Sequence, residues 1–343
     1  MVIMNEDMLR KAVDLLNTKH LFTTISGATF LSVGIATFII ERSRKKQGGS
    51  GVLRDGLSFL FPLRHWISAS TKVDISIYIL AKFTQGWISV VSAVAMITLS
   101  GAIVGGARDF FQISPQPSPS LAVDCLFCIL FFIFTDFGEY GSHYIQHRIP
   151  VLWEFHKIHH SATFLTPLTT YRFHPVGNLI DGIFIGAALS IPVAIFRIFY
   201  DVSLQTVLSM TGGVTLFFSI ALLSSLQHSH FQVSFGAFDR IFISPEMHQV
   251  HHSMKRQHWG KNLGGRLSIW DWAFGTGYKL PKGEIIQHGL GTAEDERGEY
   301  ASVWRCYVNP LLNVYAEFKS SLERLRHRGE ALLSSRSMAT NKE

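Results

Sequence analysis

Histidine carries the chemical content of this chain. His143 and His147 stand in an H-x-x-x-H spacing, and His156, His159 and His160 follow as H-x-x-H-H. His248, His251 and His252 repeat H-x-x-H-H. His228 and His230 lie between the second and third boxes, and His174 sits in Arg172-Phe173-His174-Pro175. On a helix, residues three and four apart share a face. H-x-x-x-H therefore aims two imidazoles at one point. H-x-x-H-H does the same with its first and last members and keeps the middle one close by. Eight to ten imidazoles exceed the need of one ion, because a catalytic zinc takes about three protein ligands and a water. Two ions with about four or five nitrogens each account for the number. Imidazole suits iron, zinc, copper and nickel alike, so the spacing leaves the metal open.

The remaining candidates carry less. His20, His65, His288 and His327 stand alone and are expected to be structural or solvated. His258 lies in a polar turn, and we expect it outside the ligand set. Cys125 and Cys128 form C-x-x-C inside an apolar run, which points to packing or lipid contact rather than redox work. Three cysteines in 343 residues exclude a disulfide scaffold. Gly101 and Gly105 form G-x-x-x-G, a weak signal for helix packing.

The elements that must position the histidines are membrane helices. Apolar residues make up 47% of the chain and charged residues only 16%, which excludes a disordered chain. The net charge of +6 sits beside long apolar runs, so a membrane surface is the expected partner and nucleic acid is not. Leu21–Ile40 is an uncharged run that would span a hydrocarbon core as a helix. Arg42, Arg44, Lys45 and Lys46 follow it, then a Gly48-Gly49-Ser50-Gly51 connector. Further runs cover Gly86–Ala107, Leu121 to about Thr135, Gly182–Phe196 extended by Leu179 and Ile180, and Val202 to about Leu226. Residues 52–72 are expected to lie at the interface.

Charge counting sets the orientation. Residues 41–72 hold seven Lys/Arg, and the loop after the second run holds Arg108 alone. Excess Lys and Arg mark the cytoplasmic side. Two spans later the chain returns there, and the last two runs go out and back. Residues 137–178 and 227–343 therefore share the cytoplasmic side, and all histidine boxes with them.

With these residues in place, the chain resembles the fatty acid hydroxylase/sterol desaturase superfamily of integral-membrane di-iron enzymes. The resemblance covers roughly Asp136 to Thr276. It rests on the boxes, on Leu152-Trp153-Glu154-Phe155 before His156, on Pro245-Glu246-Met247 before His248, on Asn262, and on Trp270-Asp271-Trp272-Ala273-Phe274-Gly275-Thr276. Thr166-Pro167-Leu168-Thr169 and the Trp270–Thr276 stretch look most like the sterol desaturase branch.

The resemblance implies an all-α fold: a multi-pass bundle of about 4–5 transmembrane helices under a cytosolic helical cap that carries a dimetal site. Residues 1–120 would form an N-terminal membrane region with spans near 21–40 and 86–107. Residues 121–276 would form the catalytic region, with spans near 121–137, 179–199 and 202–226. Residues 277–343 would form a cytosolic extension ending in a disordered tail. The resemblance makes His143, His147, His156, His159, His160, His248, His251 and His252 the core ligands and adds His228. His230 would complete a second metal shell. His174, Asn262, Asp271 and Asp136 would support the ligands from behind or serve structure, and partners that orient ligating imidazoles have that effect. Asp136 and Glu139 flank the first box and either tune it or act as helix-end charges.

The expected cofactors are two Fe ions with O2 as co-substrate. The expected reaction removes hydrogen from an unactivated C–H bond of a membrane lipid, giving an alcohol or an alkene. No G-x-G-x-x-G fingerprint and no C-x-x-C-H haem site occur in the sequence, so a separate electron-transfer protein is expected, of cytochrome or ferredoxin type with its reductase. The membrane would be a bacterial inner membrane or the endoplasmic reticulum. Two other readings remain at this point: a membrane two-metal zinc hydrolase, and a non-catalytic metal-binding membrane protein.

Overall fold

The computed structural model of the protein describes residues 27–40, 42–43, 52–117, 119–203, 206–207 and 224–340; side-chain placements at 83–89, 225 and 328–340 lie outside it. Regular structure among the described residues is helical, without a strand. Helix α1 covers Gly27–Ile40. It is followed by α2 (Val52–Leu60), α3 (Leu63–Trp66), α4 (Ala69–Phe111), α5 (Leu121–Arg148), α6 (Pro150–His160) and α7 (Pro175–Phe199). The later helices are α8 (Pro245–His251), α9 (Ile269–Ala273), α10 (Ala293–Glu296) and α11 (Val303–Thr340).

Local chemistry sets several of these starts. Ser68 caps α4 and Ser120 caps α5, each accepting a backbone N–H three residues on. Pro150, Pro175 and Pro245 occupy the first turns of α6, α7 and α8, where the missing N–H costs nothing.

Three helices are long and apolar enough to cross a membrane: Val90–Phe111 of α4, then α5 and α7. They correspond to the second, third and fourth expected runs. The described part of the first run is the shorter apolar α1. Most of the fifth run, 202–226, and the Gly48–Gly51 connector lie outside the described residues.

The three helices pack side by side, and glycine permits their closest approaches. A Cβ on Gly186 would sit 2.4 Å from the Ser92 carbonyl oxygen, and one on Gly138 would sit 2.8 Å from Ile185 Cα. Gly101 and Gly105 meet nothing within 4 Å. The close-packing role expected of that pair belongs to Gly138 and Gly186 instead. Phe127, Phe131, Leu189, Val193 and Phe196 fill the space between the helices.

One end of the bundle is closed by backbone bonds. Gln116 N–H donates to the Phe199 carbonyl at 2.8 Å, and Asp201 N–H donates to the Gln116 carbonyl at 2.8 Å. The Arg108 guanidinium donates to the carbonyls of Arg197, Ile198 and Tyr200. The histidine boxes gather at the other end, where α5 runs into α6 and α7 begins.

The first box follows the third apolar run on the same helix, because α5 continues without a break to Arg148. Apolar composition marks where lipid would end, while helical hydrogen bonding carries on past it. The tail expected to be disordered from 334 is helical as far as Thr340, in a stretch containing Ala, Leu, Met and Arg, all good helix formers.

The boxes rest on a buried strut. Arg172 is 1% exposed and Asp74 is fully buried, and they pair at 2.8 Å. Arg172 also donates to the carbonyls of Ile158 and Tyr300 at 3.0 and 3.2 Å and to Ser161 Oγ at 3.0 Å. One side chain thereby ties α4 and the segment before α11 to the helix that carries the second box.

Candidate metal centre

Nine of the ten predicted histidine ligands converge into two groups. His143, His147, His156, His160 and His251 form the first; His159, His228, His248 and His252 form the second. Within each group the ligating nitrogens lie within 4.8 Å of one another. Helix α5 supplies one pair, α6 a triplet and α8 with its C-cap another. On α6 the H-x-x-H-H triplet is divided, with His156 and His160 in one group and His159 in the other. The groups are neighbours, since the His160 and His252 rings stack at 4.6 Å.

The nitrogens in the second group are arranged as ligands. His228 Nε2 is 3.0 Å from His159 Nε2, 3.1 Å from His252 Nε2 and 3.0 Å from His248 Nε2. Bonds of about 2.1 Å at right angles put neighbouring nitrogens ~3.0 Å apart, so these edges fit one ion. In the first group, Nε2 of His143, His147 and His251 is buried without a hydrogen-bond partner. Orphaned buried acceptors are costly, and an ion satisfies all three at once.

The opposite ring nitrogens are held. His143 Nδ1 lies 2.7 Å from the Leu263 carbonyl and His251 Nδ1 lies 2.8 Å from the Lys261 carbonyl. A carbonyl accepts only from N–H, so both rings keep a bare Nε2 pointing inward. His228 Nδ1 is 3.0 Å from Thr170 Oγ1, and Phe173 stacks on His159 at 4.3 Å.

The segment 261–267 that supplies those carbonyls is held by three of the predicted supporting residues. Asp271 accepts the N–H groups of Leu263 and Gly264 at 2.7 and 2.9 Å. Asp136, on α5, accepts those of Arg266 and Leu267 and the Trp270 indole N–H. Asn262 takes a left-handed φ of 52°, donates to the Met247 and Tyr278 carbonyls at 3.0 Å, and accepts the Tyr278 N–H at 2.8 Å. These three residues therefore touch the centre through the backbone. Glu139 pairs with Arg266 at 2.6 Å, beside the same segment.

Burial sets the charge state. It pushes the imidazoles of His156, His159, His160, His248, His251 and His252 well below their usual value, and neighbouring histidines add to the effect. His228 is pushed down to about 3, again mainly by burial. Neutral imidazole is the form that binds a metal.

Two predicted residues lie elsewhere. His230 joins neither group, contrary to the expectation that it completes a second shell. Its Nε2 donates to the Phe59 carbonyl at 2.7 Å, and its ring packs on Phe231 at 4.1 Å. The cause is a turn at Ser229, whose Oγ accepts the Phe231 N–H and donates to the Leu226 carbonyl. His174 serves structure: Nδ1 caps α7 by accepting the Val176 N–H, and Nε2 donates to the Tyr307 carbonyl. His65 stacks on Phe164, and His258 is buried beside Glu284, both outside the groups.

Two cavities reach the centre. A 590 Å³ cavity has His143, His156, His159, His228 and His248 in its wall, with Phe30, Phe61, Trp66, Tyr171, Phe173 and Ile185 lining the apolar remainder. Its polar groups include Glu139, Gln146, Asp181, Gln227 and Arg266. A 360 Å³ cavity meets His147, His160 and His251 and is lined by Arg148, Trp153, Trp259 and Lys261. Trp153 and Phe173 stand in the motifs quoted above without an assigned role, and sequence reasoning missed Thr170 and Asp181. Asp181 carries a signal, being an ionisable residue beside an apolar run; Thr170 carries none.

The fatty acid hydroxylase family model matches residues 128–276, the segment that contains all nine clustered histidines. Over this segment the chain is similar to that family. Among characterised proteins, the chain is 32% identical over 162 residues to an ornithine lipid hydroxylase of Rhizobium tropici, covering 47% of this chain and 45% of that one. It is 28% identical over 162 residues to the alkylglycerol monooxygenase of Danio rerio, covering 47% of this chain and 32% of that one. It is 27% identical over 196 residues to a probable Delta(7)-sterol 5(6)-desaturase of Neurospora crassa, covering 57% and 48%. The chain spans less than half the length of each of these relatives. No solved structure matches it. The superfamily read from the histidine spacing and its flanking residues is the one the comparisons return, sterol desaturases included.

Proposed function

We propose that this chain is a membrane-bound, O2-dependent di-iron oxidoreductase that hydroxylates or desaturates a lipid. The observation that carries the reading is two adjacent groups of neutral imidazoles forming one wall of an otherwise largely apolar cavity. Imidazole with open positions suits redox-active iron. The donor set holds no carboxylate among the described residues. The carboxylates in the cavity wall are engaged, Glu139 by Arg266 and Asp181 by Ser142 and Gln146, which weighs against a two-metal hydrolase with a free general base. Two iron ions held there would supply the activation of O2 against a C–H bond.

The protein's own residues do the rest. The first group would be held by His143, His147, His156, His160 and His251, and the second by His159, His228, His248 and His252. Leu263, Lys261 and Thr170 fix ring orientation. Phe173 and the apolar lining exclude water and position an alkyl or ring skeleton, which enters from the bilayer along α1 and α7 without crossing water. The separate electron donor approaches the second cavity, where Arg148 and Lys261 favour an acidic partner. We place the cap on the cytoplasmic side from the distribution of Lys and Arg around the apolar runs.

The test is comparative lipid mass spectrometry of a host with and without the protein, together with O2 uptake by iron-loaded protein given a reductant. The reading expects a lipid gaining one oxygen or losing two hydrogens, with O2 consumed in step. A hydrolysed lipid and no O2 uptake would overturn it.

A further inference from the structure

Helix α11 uses one side and leaves the other bare. On the used side Cys306 and Tyr307 pack with Val73, Ile77 and Ile158, and Asn313 donates to Glu154 at 2.8 Å. The Tyr307 carbonyl accepts a hydrogen bond from His174 at 3.1 Å, and His174 is the N-cap of α7. Because α7 is one of the candidate spans, α11 is fastened at the end of a membrane helix.

On the other side lie Trp304, Val308, Leu311, Tyr315, Phe318, Leu322 and Leu325, spaced alternately by four and three. This spacing keeps them in one stripe, ~33 Å long at 1.5 Å per residue. All but Val308 are exposed; Trp304 is 74%, Tyr315 67% and Phe318 63% accessible. Such a stripe fits either a second copy of the chain or a lipid surface. Charge decides between them. Along this helix Arg305, Lys319, Arg324 and Arg326 outnumber Glu317 and Glu323. Pairing two copies would set this net positive charge against itself. Anionic headgroups match it, and Trp, Tyr and Phe suit the boundary between headgroups and acyl chains.

We propose that the exposed stripe of α11 lies in the plane of the membrane surface on anionic lipid, anchoring the C-terminal part of the chain beside the start of α7. The inference needs the membrane spans but not the chemistry at the histidines.

The test uses the full chain in nanodiscs of phosphatidylglycerol or phosphatidylcholine. Nitroxide labels go on Phe318→Cys or Glu323→Cys, with Cys125 and Cys128 replaced by serine and Cys306 left buried. Collision with O2 and with a nickel chelate gives the depth of each label. In phosphatidylglycerol the label at 318 should be shielded from nickel at ~5–10 Å below the phosphates, while the label at 323 stays open to it. Lys319→Glu should move the 318 label outward, and phosphatidylcholine should hold it less deeply. Equal nickel access at 318 and 323, equal depth in both lipids, or shielding accompanied by dipolar coupling between labels on two chains would each overturn the proposal.

Discussion

Replacing His159 with alanine will abolish turnover while leaving the protein inserted and folded. His159 is one of four imidazoles in the second group, 3.0 Å from His228 through their Nε2 atoms. Losing it leaves three, in a site where even the partners behind a ligand are worth about 10–100-fold in metal affinity or activity. The loss of a ligand should therefore exceed ~100-fold. The membrane helices make no use of this ring, so yield and melting in metal-free buffer should change little. His230→Ala is the matched control. Its ring hydrogen-bonds to the Phe59 carbonyl outside both groups, so activity should stay within a few-fold of the parent. The check is O2 uptake per folded protein for both variants. Substantial turnover by His159→Ala, or equal loss in the two variants, would contradict the grouping.

Asp74→Ala will produce the largest loss of stability expected of any single change outside the histidines. Asp74 is fully buried and is the carboxylate partner of Arg172, itself 1% exposed. Removing the aspartate strands a guanidinium in the interior, which typically costs about 3–5 kcal/mol. The Thr169 hydroxyl, which donates to Asp74 at 2.7 Å, loses its acceptor as well. Because Arg172 also bonds to the Ile158 carbonyl on α6, the damage should spread to the second box. The thermal midpoint in detergent should fall by several degrees, and metal retention should fall with it. A midpoint unchanged within error would show that the pair is not the strut described above.

What could be read in advance followed from helical spacing. The boxes on α5, α6 and α8 obey the rule that residues three and four apart share a face, so convergence was legible from the sequence of each box. The resemblance points to His228 and to its neighbour His230, of which only His228 joins a group. Spacing has no force at that point, since the chain there is a turn governed by the Ser229 hydroxyl. Hydropathy marks the apolar run from 121 to about 135 but not the end of α5, because it reports composition rather than helical hydrogen bonding. The carbonyls of Lys261 and Leu263 were not legible at all. A backbone atom has no signature in its residue type, and only the side chains of Asp136, Asn262 and Asp271 hinted that something nearby needed holding. The glycines that matter for packing were equally hidden, because Gly138 and Gly186 stand in no recognisable pair and the G-x-x-x-G at 101 and 105 faces open space.

The claim on which all of this rests is that the two imidazole groups hold one ion each. Elemental analysis of the purified full chain, grown with both iron and zinc available, tests it most directly, read beside His159→Ala from the second group and His251→Ala from the first. The parent should hold about two ions per chain, iron among them or exchangeable for iron. Each variant should lose metal from its own group. A folded parent holding no stoichiometric metal, or a single ion lost equally in both variants, would contradict it.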